Sequence, residues 1–217
     1  MKTDLQLKKY VNAELEFDPS INATHIGVAV KDGVVTLTGH LDSYAEKSAA
    51  KKAVMRVSGV RAIALELDVK LDPGHKRSDS EIAAAAETAF KWHALIPADR
   101  IQVVCEKGWV TLKGEVDWDY QRENAERTVR SLTGVVGVSN SITLKPAAVL
   151  SDVATRIKAA LVRHADDEAK KIDVIISGKT ATLRGNVHSW AERSAADTAA
   201  WSAPGITSVV NELKVAA

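Results

Sequence analysis

Leu7, Val11 and Leu15 stand four residues apart in an otherwise polar stretch, the spacing of a single apolar stripe along a helix. Next comes IGVAVKDGVVTLTG, two alternating runs on either side of Asp32-Gly33. Alternation with a central Asp-Gly predicts a β-hairpin, because the tight turn needs positive φ and glycine supplies it without steric cost. Ser43-x-x-Glu46 then reads as a capping box opening a second helix. Ala50, Ala53, Val54 and Val57 form the core stripe of that helix, and Gly59 ends it. The run IALELDVKL predicts a last strand. The expected unit is therefore helix, strand, strand, helix, strand.

The unit is written three times. GVVTLTGHLDSYAEK, GWVTLKGEVDWDYQR and KTATLRGNVHSWAER place Gly39, Gly114 and Gly185 at intervals of 75 and 71 residues. The same intervals carry Leu7 to Ile82 to Val153, Leu15 to Phe90 to Leu161, Ile26 to Ile101 to Ile172, and Gly59 to Gly134 to Gly205. A register kept through the whole unit marks a duplication. Ser78-x-x-Glu81 reads as a capping box for the first helix of the second unit, and Ser189-x-x-Glu192 as one for the second helix of the third. In the third unit the hairpin turn is expected at Ser177-Gly178. The domains are drawn at 1–72, 77–146 and 149–217, joined by the short linkers DPGHKRSDS and KPAAVLS, which make adjacent beads rather than a long tether.

Charge and chemistry narrow the picture by exclusion. With 29 basic and 28 acidic residues the net charge is +1, so no global field draws in nucleic acid or an anionic surface, and any anion site must be local. The N-terminal segment has no apolar core of signal-peptide length, and no stretch approaches a membrane span; a soluble, cytoplasmic protein is the expectation. The single cysteine, Cys105 in IQVVCE, shares a strand face with Ile101 and Val103 and reads as a small buried hydrophobe. Six scattered histidines, most with Arg, Lys, Glu, Asn or Asp as counterparts in the other units, have no metal spacing, so neither a metal nor another cofactor is expected. Asp166-Asp167-Glu168, followed by Lys170 and Lys171, reads as a self-neutralising loop. No phosphate-binding glycine loop or nucleophile elbow is present. GVVG at Gly134 precedes a strand rather than lying between helices, so it is not a nucleic-acid clamp. An enzyme is not expected.

The αββαβ unit, with TLxG, a capped Ala-rich helix, a glycine step and a Val-x-Asn strand, resembles the BON domain of bacterial osmotically inducible and nodulation proteins. The closing motif is quotable in GVVGVSNSITL from Gly134 and GITSVVNELKV from Gly205. The first unit departs from it, with Leu65 where the others have Asn140 and Asn211. The resemblance covers the chain as three copies. It implies an α+β fold in which each unit is a three-stranded mixed sheet with two helices on one face. It also implies a link to envelope and osmotic stress, binding to phospholipid surfaces, and no catalytic residues.

Two surfaces stand out as places to bind something. On the second helix, positions five and sixteen after the TLxG glycine lie about 130° from the core centre and should be exposed in an isolated unit. They are Tyr44 and Met55 in the first unit and Trp190 and Trp201 in the third, but Asp119 and Arg130 in the second. Such a stripe is covered by a neighbouring unit or meets an outside partner. Trp109, on the sheet face away from the helices, and Trp118 and Tyr120, at the mouth of the second helix, pose the same question. The best local cluster for anionic headgroups is Lys47, Lys51, Lys52 and Arg56, on the helix that also carries Tyr44 and Met55. The leading expectation is a non-catalytic binding protein at an anionic phospholipid surface. The alternative is a protein-interaction scaffold or holdase-like module, self-associating or gripping a polypeptide through the Trp190/Trp201 stripe.

Overall fold

The structure, a computed structural model, describes residues 2–145, 152–164 and 172–215. The linker from 146 to 151, the acidic run at 166–168 with Lys170 and Lys171, and the side chain of His164 lie outside the described residues. The first repeat runs α1 (Asp4–Phe17), β1 (Ile26–Lys31), β2 (Val34–Leu41), α2 (Tyr44–Arg56) and β3 (Ala62–Val69). The second runs α3 (Asp79–Trp92), β4 (Ile101–Glu106), β5 (Trp109–Val116), α4 (Asp119–Arg130) and β6 (Gly137–Leu144). The third runs α5 (Val153–His164), β7 (Asp173–Ser177), β8 (Thr180–Val187), α6 (Trp190–Trp201) and β9 (Ser208–Val215). This is the expected α+β architecture. Each repeat has its own three-stranded sheet, in the orders β1-β2-β3, β4-β5-β6 and β7-β8-β9. In the first and third the hairpin is antiparallel and the last strand pairs parallel to the middle one, so each of those sheets is mixed.

Chain contacts gather the molecule into two compact units, Met1–Val116 with Tyr120–Thr143, and Asp117–Asp119 with Leu144–Ala217. In the first unit, Leu7, Val11 and Leu15 of α1 and Ala50, Ala53 and Val54 of α2 are buried against Val35, Leu37, Leu41 and Leu67. Both helices therefore cover the same face of the sheet. In the second unit, Val153, Ile157 and Leu161 of α5 and Ala196 and Ala200 of α6 cover Val174, Ala181, Leu183 and Leu213 in the same way. Alanine on the second helix keeps helix and sheet close, and removing a methyl-sized volume from such a core is felt.

The phrase TLxG has a steric reason. Gly39 pairs with Ile26 and has φ +120°, and a Cβ on it would stand 1.9 Å from the His25 carbonyl oxygen. Gly114, at φ +140°, would put its Cβ 2.1 Å from the Arg100 oxygen. Only glycine fits beneath the chain as it enters the sheet. The other end of the hairpin is tied by the first residue of the first helix. Asp4 accepts from the amides of Asp32 and Gly33 at 2.8 and 3.1 Å, and Asp79 from those of Lys107 and Gly108, both at 2.8 Å.

Capping differs from expectation in one respect. Ser78 and Glu81 make a complete capping box. Ser43 and Ser189 do accept from the amides of Glu46 and Glu192, but the two carboxylates reach one residue further back. Glu46 accepts from Asp42 N at 3.1 Å and from Asn22 N at 2.5 Å; Glu192 accepts from His188 N at 2.9 Å. Glu46 is thus a buried carboxylate that locks the start of α2 to the connection between α1 and β1. The third hairpin also turns one residue later than expected, since β7 runs through Ser177 and the turn falls at Gly178 and Lys179.

The Gly114→Ala substitution should therefore destabilise the chain by ~3 kcal/mol or more, read from the midpoint of urea unfolding. Gly74→Ala, where a Cβ meets nothing within 4 Å, is the control and should leave the midpoint in place.

Candidate functional site

The basic helix α2 is less free than its sequence suggests. Lys47 Nζ donates to the Leu67 carbonyl at 2.6 Å, fastening α2 to β3. Arg193, at the matching position of the third repeat, does the same with the carbonyls of Asn211 and Leu213. Arg56 donates to Glu14 at 2.7 Å and to Asp18 at 3.0 Å, so both of its neighbours are carboxylates. Those contacts raise the arginine further above its ordinary value. Asp18 is held below the usual carboxylate range, first by the Ser20 hydroxyl and then by Arg56. Of the four basic residues of α2, Lys51 and Lys52 stand exposed and without a hydrogen bond or ion pair among the described residues.

The aromatic stripe residues Tyr44, Met55, Trp190 and Trp201 are all half-buried. The Arg193 guanidinium lies over the Trp190 ring at 5.3 Å. Asp119, at the corresponding position of the second repeat, is buried. Trp118 and Tyr120 are exposed at the mouth of α4. Trp109 is 49% exposed on the helix-free face of its sheet. Its indole N–H donates to Ser139 Oγ at 2.9 Å, and its ring lies so close over Gly137 that a Cβ there would meet it at 2.3 Å.

Two larger apolar surfaces escaped the sequence reading. Phe17 and Trp92 close α1 and α3 at the same position of their repeats, and they are 82% and 87% exposed. Leu95, just past α3, is exposed as well. The signal was available: both residues fall off the stripe that buries Leu7, Val11 and Leu15, and the 75-residue register aligns them.

The asparagines of the Val-x-Asn strand are structural. Asn140 Nδ2 donates to Arg122 O at 3.0 Å and its Oδ1 accepts from Ile142 N; Asn211 makes the same pair of contacts with Arg193 O and Leu213 N. Cys105 Sγ donates to Asp79 at 3.3 Å. Burial, and after it the Asp79 carboxylate, push the thiol up to about 11. The amides of Gly108 and Lys107 hold Asp79 itself below the ordinary carboxylate range. His25 and His40 stack at 4.6 Å. No group of three His, Cys, Asp or Glu is placed to hold a metal ion, and no helix is long and apolar enough to cross a membrane, among the described residues.

The BON domain family matches residues 3–70, 78–146 and 150–217. The chain belongs to the BON family. Its three BON repeats account for the recurring phrase. Osmotically-inducible protein Y of Escherichia coli (strain K12) is 30% identical over 146 residues, covering 65% of this chain and 73% of that protein. The kinship groups the chain with osmotic-stress-associated envelope proteins of bacteria and points to a non-enzymatic protein. It also corrects the cytoplasmic expectation: that relative is a periplasmic protein. Among solved structures, the C-terminal domain of CdsD, the structural protein of the type III secretion system of Chlamydia trachomatis, aligns at 14% identity over 100% of both chains with a TM-score of 0.27. A second CdsD structure aligns at 13% over 96% of this chain and 91% of that one with a TM-score of 0.24. Scores this low carry no structural argument.

Two solution measurements follow from the BON hairpin cap. At pH 8 an ordinary thiol is roughly a quarter ionised, whereas one near 11 is ionised at about 0.1%. Alkylation of Cys105 in the native chain should therefore run on the order of a hundredfold slower than in guanidinium. Asp79 has a lowered native value, so its stabilisation is present above the unfolded carboxylate value and lost as pH falls through the native one. The urea midpoint of the wild type should drop steeply on acidification below pH ~4, and less steeply in Asp79→Asn.

Proposed function

We propose that this BON protein is a non-catalytic, peripheral binding protein that docks on anionic phospholipid in the bacterial envelope during osmotic stress. The observation that carries the reading is the pair Phe17 and Trp92, large apolar side chains left in solvent at the same position of two repeats. Aromatic rings of this kind favour the interfacial zone of a bilayer. Lys51 and Lys52 add the electrostatic half, with Lys91 adjacent in sequence to Trp92. A basic side chain near an anionic leaflet contributes ~1 kcal/mol. Two or three such charges alone bind weakly, so the apolar contribution is essential to the reading. Lys47 and Arg56, though basic, are committed to Leu67 and to Glu14 and Asp18, and they add little to docking.

A polypeptide partner is the second reading. Ile175, Thr182 and Val210 sit in one row across β7, β8 and β9, and Ile175 and Val210 are exposed; Val104 and Trp109 are exposed on β4 and β5. Apolar side chains at such positions suit a flat protein surface.

Co-sedimentation separates the two. The protein should pellet with phosphatidylglycerol vesicles and not with phosphatidylcholine vesicles, and raising the salt should weaken pelleting as screening shortens. Phe17→Ala/Trp92→Ala and Lys51→Glu/Lys52→Glu should each cost about tenfold in affinity. Equal pelleting with neutral lipid, or indifference to both double variants, would sink the membrane reading and leave the sheet faces as the surfaces to test.

A further inference from the structure

In the first compact unit, α2 and α4 face each other across a cleft of about 320 Å³, at the lower end of the range for small-ligand sites. Its walls bring four cations together from two repeats: Lys52 and Arg56 from α2, Arg127 and Arg130 from α4. Ser48 and Asp18 also line it.

These charges are not equivalent. Arg56 is neutralised by Glu14 and Asp18, and the same contacts, with Ser20 bonded to Asp18 at 2.6 Å, occupy the one carboxylate of the cleft wall. Arg130 is paired through one terminal nitrogen with Glu126, yet its Nε is buried and donates to nothing among the described residues. Arg127 donates at 2.7 Å to Asn124 Oδ1, a neutral acceptor, and has no carboxylate partner among the described residues. Lys52 and the Ser48 hydroxyl have no hydrogen-bond partner at all among the described residues. The C-terminus of α4 brings partial negative charge, which Arg127 and Arg130 in its last turn offset. What remains is two cations without a carboxylate partner among the described residues and a free hydroxyl, on residues that line one cavity. A planar guanidinium beside an ammonium suits a tetrahedral oxyanion.

We propose that the α2–α4 cleft is a phosphate-group site, in which Lys52 and Arg127 hold the anion and Ser48 Oγ donates to its oxygens. The site shares Lys52 with the membrane reading but does not depend on that reading, because the phosphate can belong to a lipid headgroup or to a soluble ion.

The test is calorimetric titration of the full chain with inorganic phosphate at constant ionic strength, with chloride as the blank. Saturable binding with a dissociation constant on the order of 1 mM is expected. Lys52→Gln/Arg127→Gln should weaken it about tenfold or more, and Lys52→Arg should retain it. Both substituted side chains are exposed, and unchanged circular dichroism and urea midpoint establish that the variant is folded. Phosphate heats no different from chloride, or a folded double variant that binds phosphate as the wild type does, overturns the site. Arg127→Gln alone, which leaves Lys51 and Lys52 in place, is then titrated with phosphate and pelleted with phosphatidylglycerol vesicles. Loss of phosphate and vesicle binding together identifies a headgroup as the source. Loss of phosphate binding alone identifies the free anion. Failure of the wild type to pellet removes the membrane reading but leaves the titration to decide the cleft.

Discussion

The fold of the first two repeats depends on a carbonyl oxygen pressed onto a strand where no side chain can stand. In the first repeat that oxygen belongs to His25 and the strand position is Gly39; in the second they are Arg100 and Gly114. The contact fixes where the chain enters the sheet, and with it the pairing of Ile26 with Gly39 and of Ile101 with Gly114. A one-residue slip in a hairpin would send every core side chain to the opposite face. The carboxylates of Asp4 and Asp79 pin the other end by accepting both turn amides. With entry and turn both held, Val35 and Leu37 or Val110 and Leu112 have no choice but to face the helices. Glu46 extends this clamp by bonding the entry segment at Asn22 to the start of α2.

What was legible in the sequence was whatever depends on local period. The 75- and 71-residue register, the apolar stripe at Leu7, Val11 and Leu15, the Asp32-Gly33 turn and the small-residue stripe of α2 are all properties of short stretches, and the structure has them. What was not legible depends on contacts between elements far apart in sequence. Lys47 reads as a surface cation until β3 is placed alongside it, and then its nitrogen belongs to Leu67 O. The register held a hint, since the same position is Arg122 and Arg193 in the other copies. A residue type kept in every copy serves the fold, and Arg193 repeats the bond of Lys47 to the last strand. The same comparison read in reverse points to Phe17 and Trp92. Both are aromatic, both lie off the buried stripe, and the third repeat has Arg163 in their place.

The asparagine of the last strand shows how a family motif can be lost without losing the fold. In the second and third repeats Asn140 and Asn211 satisfy a helix carbonyl with the amide nitrogen and a strand amide with the oxygen. Leu65 takes the position in the first repeat and packs against the core instead. Replacing a paired polar group by an apolar one of similar shape is often close to neutral, whereas leaving a buried partner unpaired costs about 1–3 kcal/mol. The first repeat keeps the helix-to-strand tie through Lys47, so the change to Leu65 leaves the joint fastened.

The same accounting separates charges that hold the molecule together from charges that are free to act. Counting basic residues on α2 gives four candidates for an anion, but Lys47 is spent on a backbone carbonyl and Arg56 on two carboxylates. Exposed ion pairs such as that of Arg184 with Glu212 add ~0–1 kcal/mol and take both partners out of long-range electrostatics. A protein with net charge +1 has no field to spare, so its affinity for an anion rests on the few cations that the fold leaves unpaired. In the first unit those include Lys51 and Lys52 on α2 and Arg127 on α4, which has no carboxylate partner among the described residues, and Lys52 and Arg127 meet only because the two repeats pack as one body. Duplication thus does more than repeat a stable unit: it sets the second helices of two copies across a shared cleft, and a cluster of charge arises that neither copy carries alone.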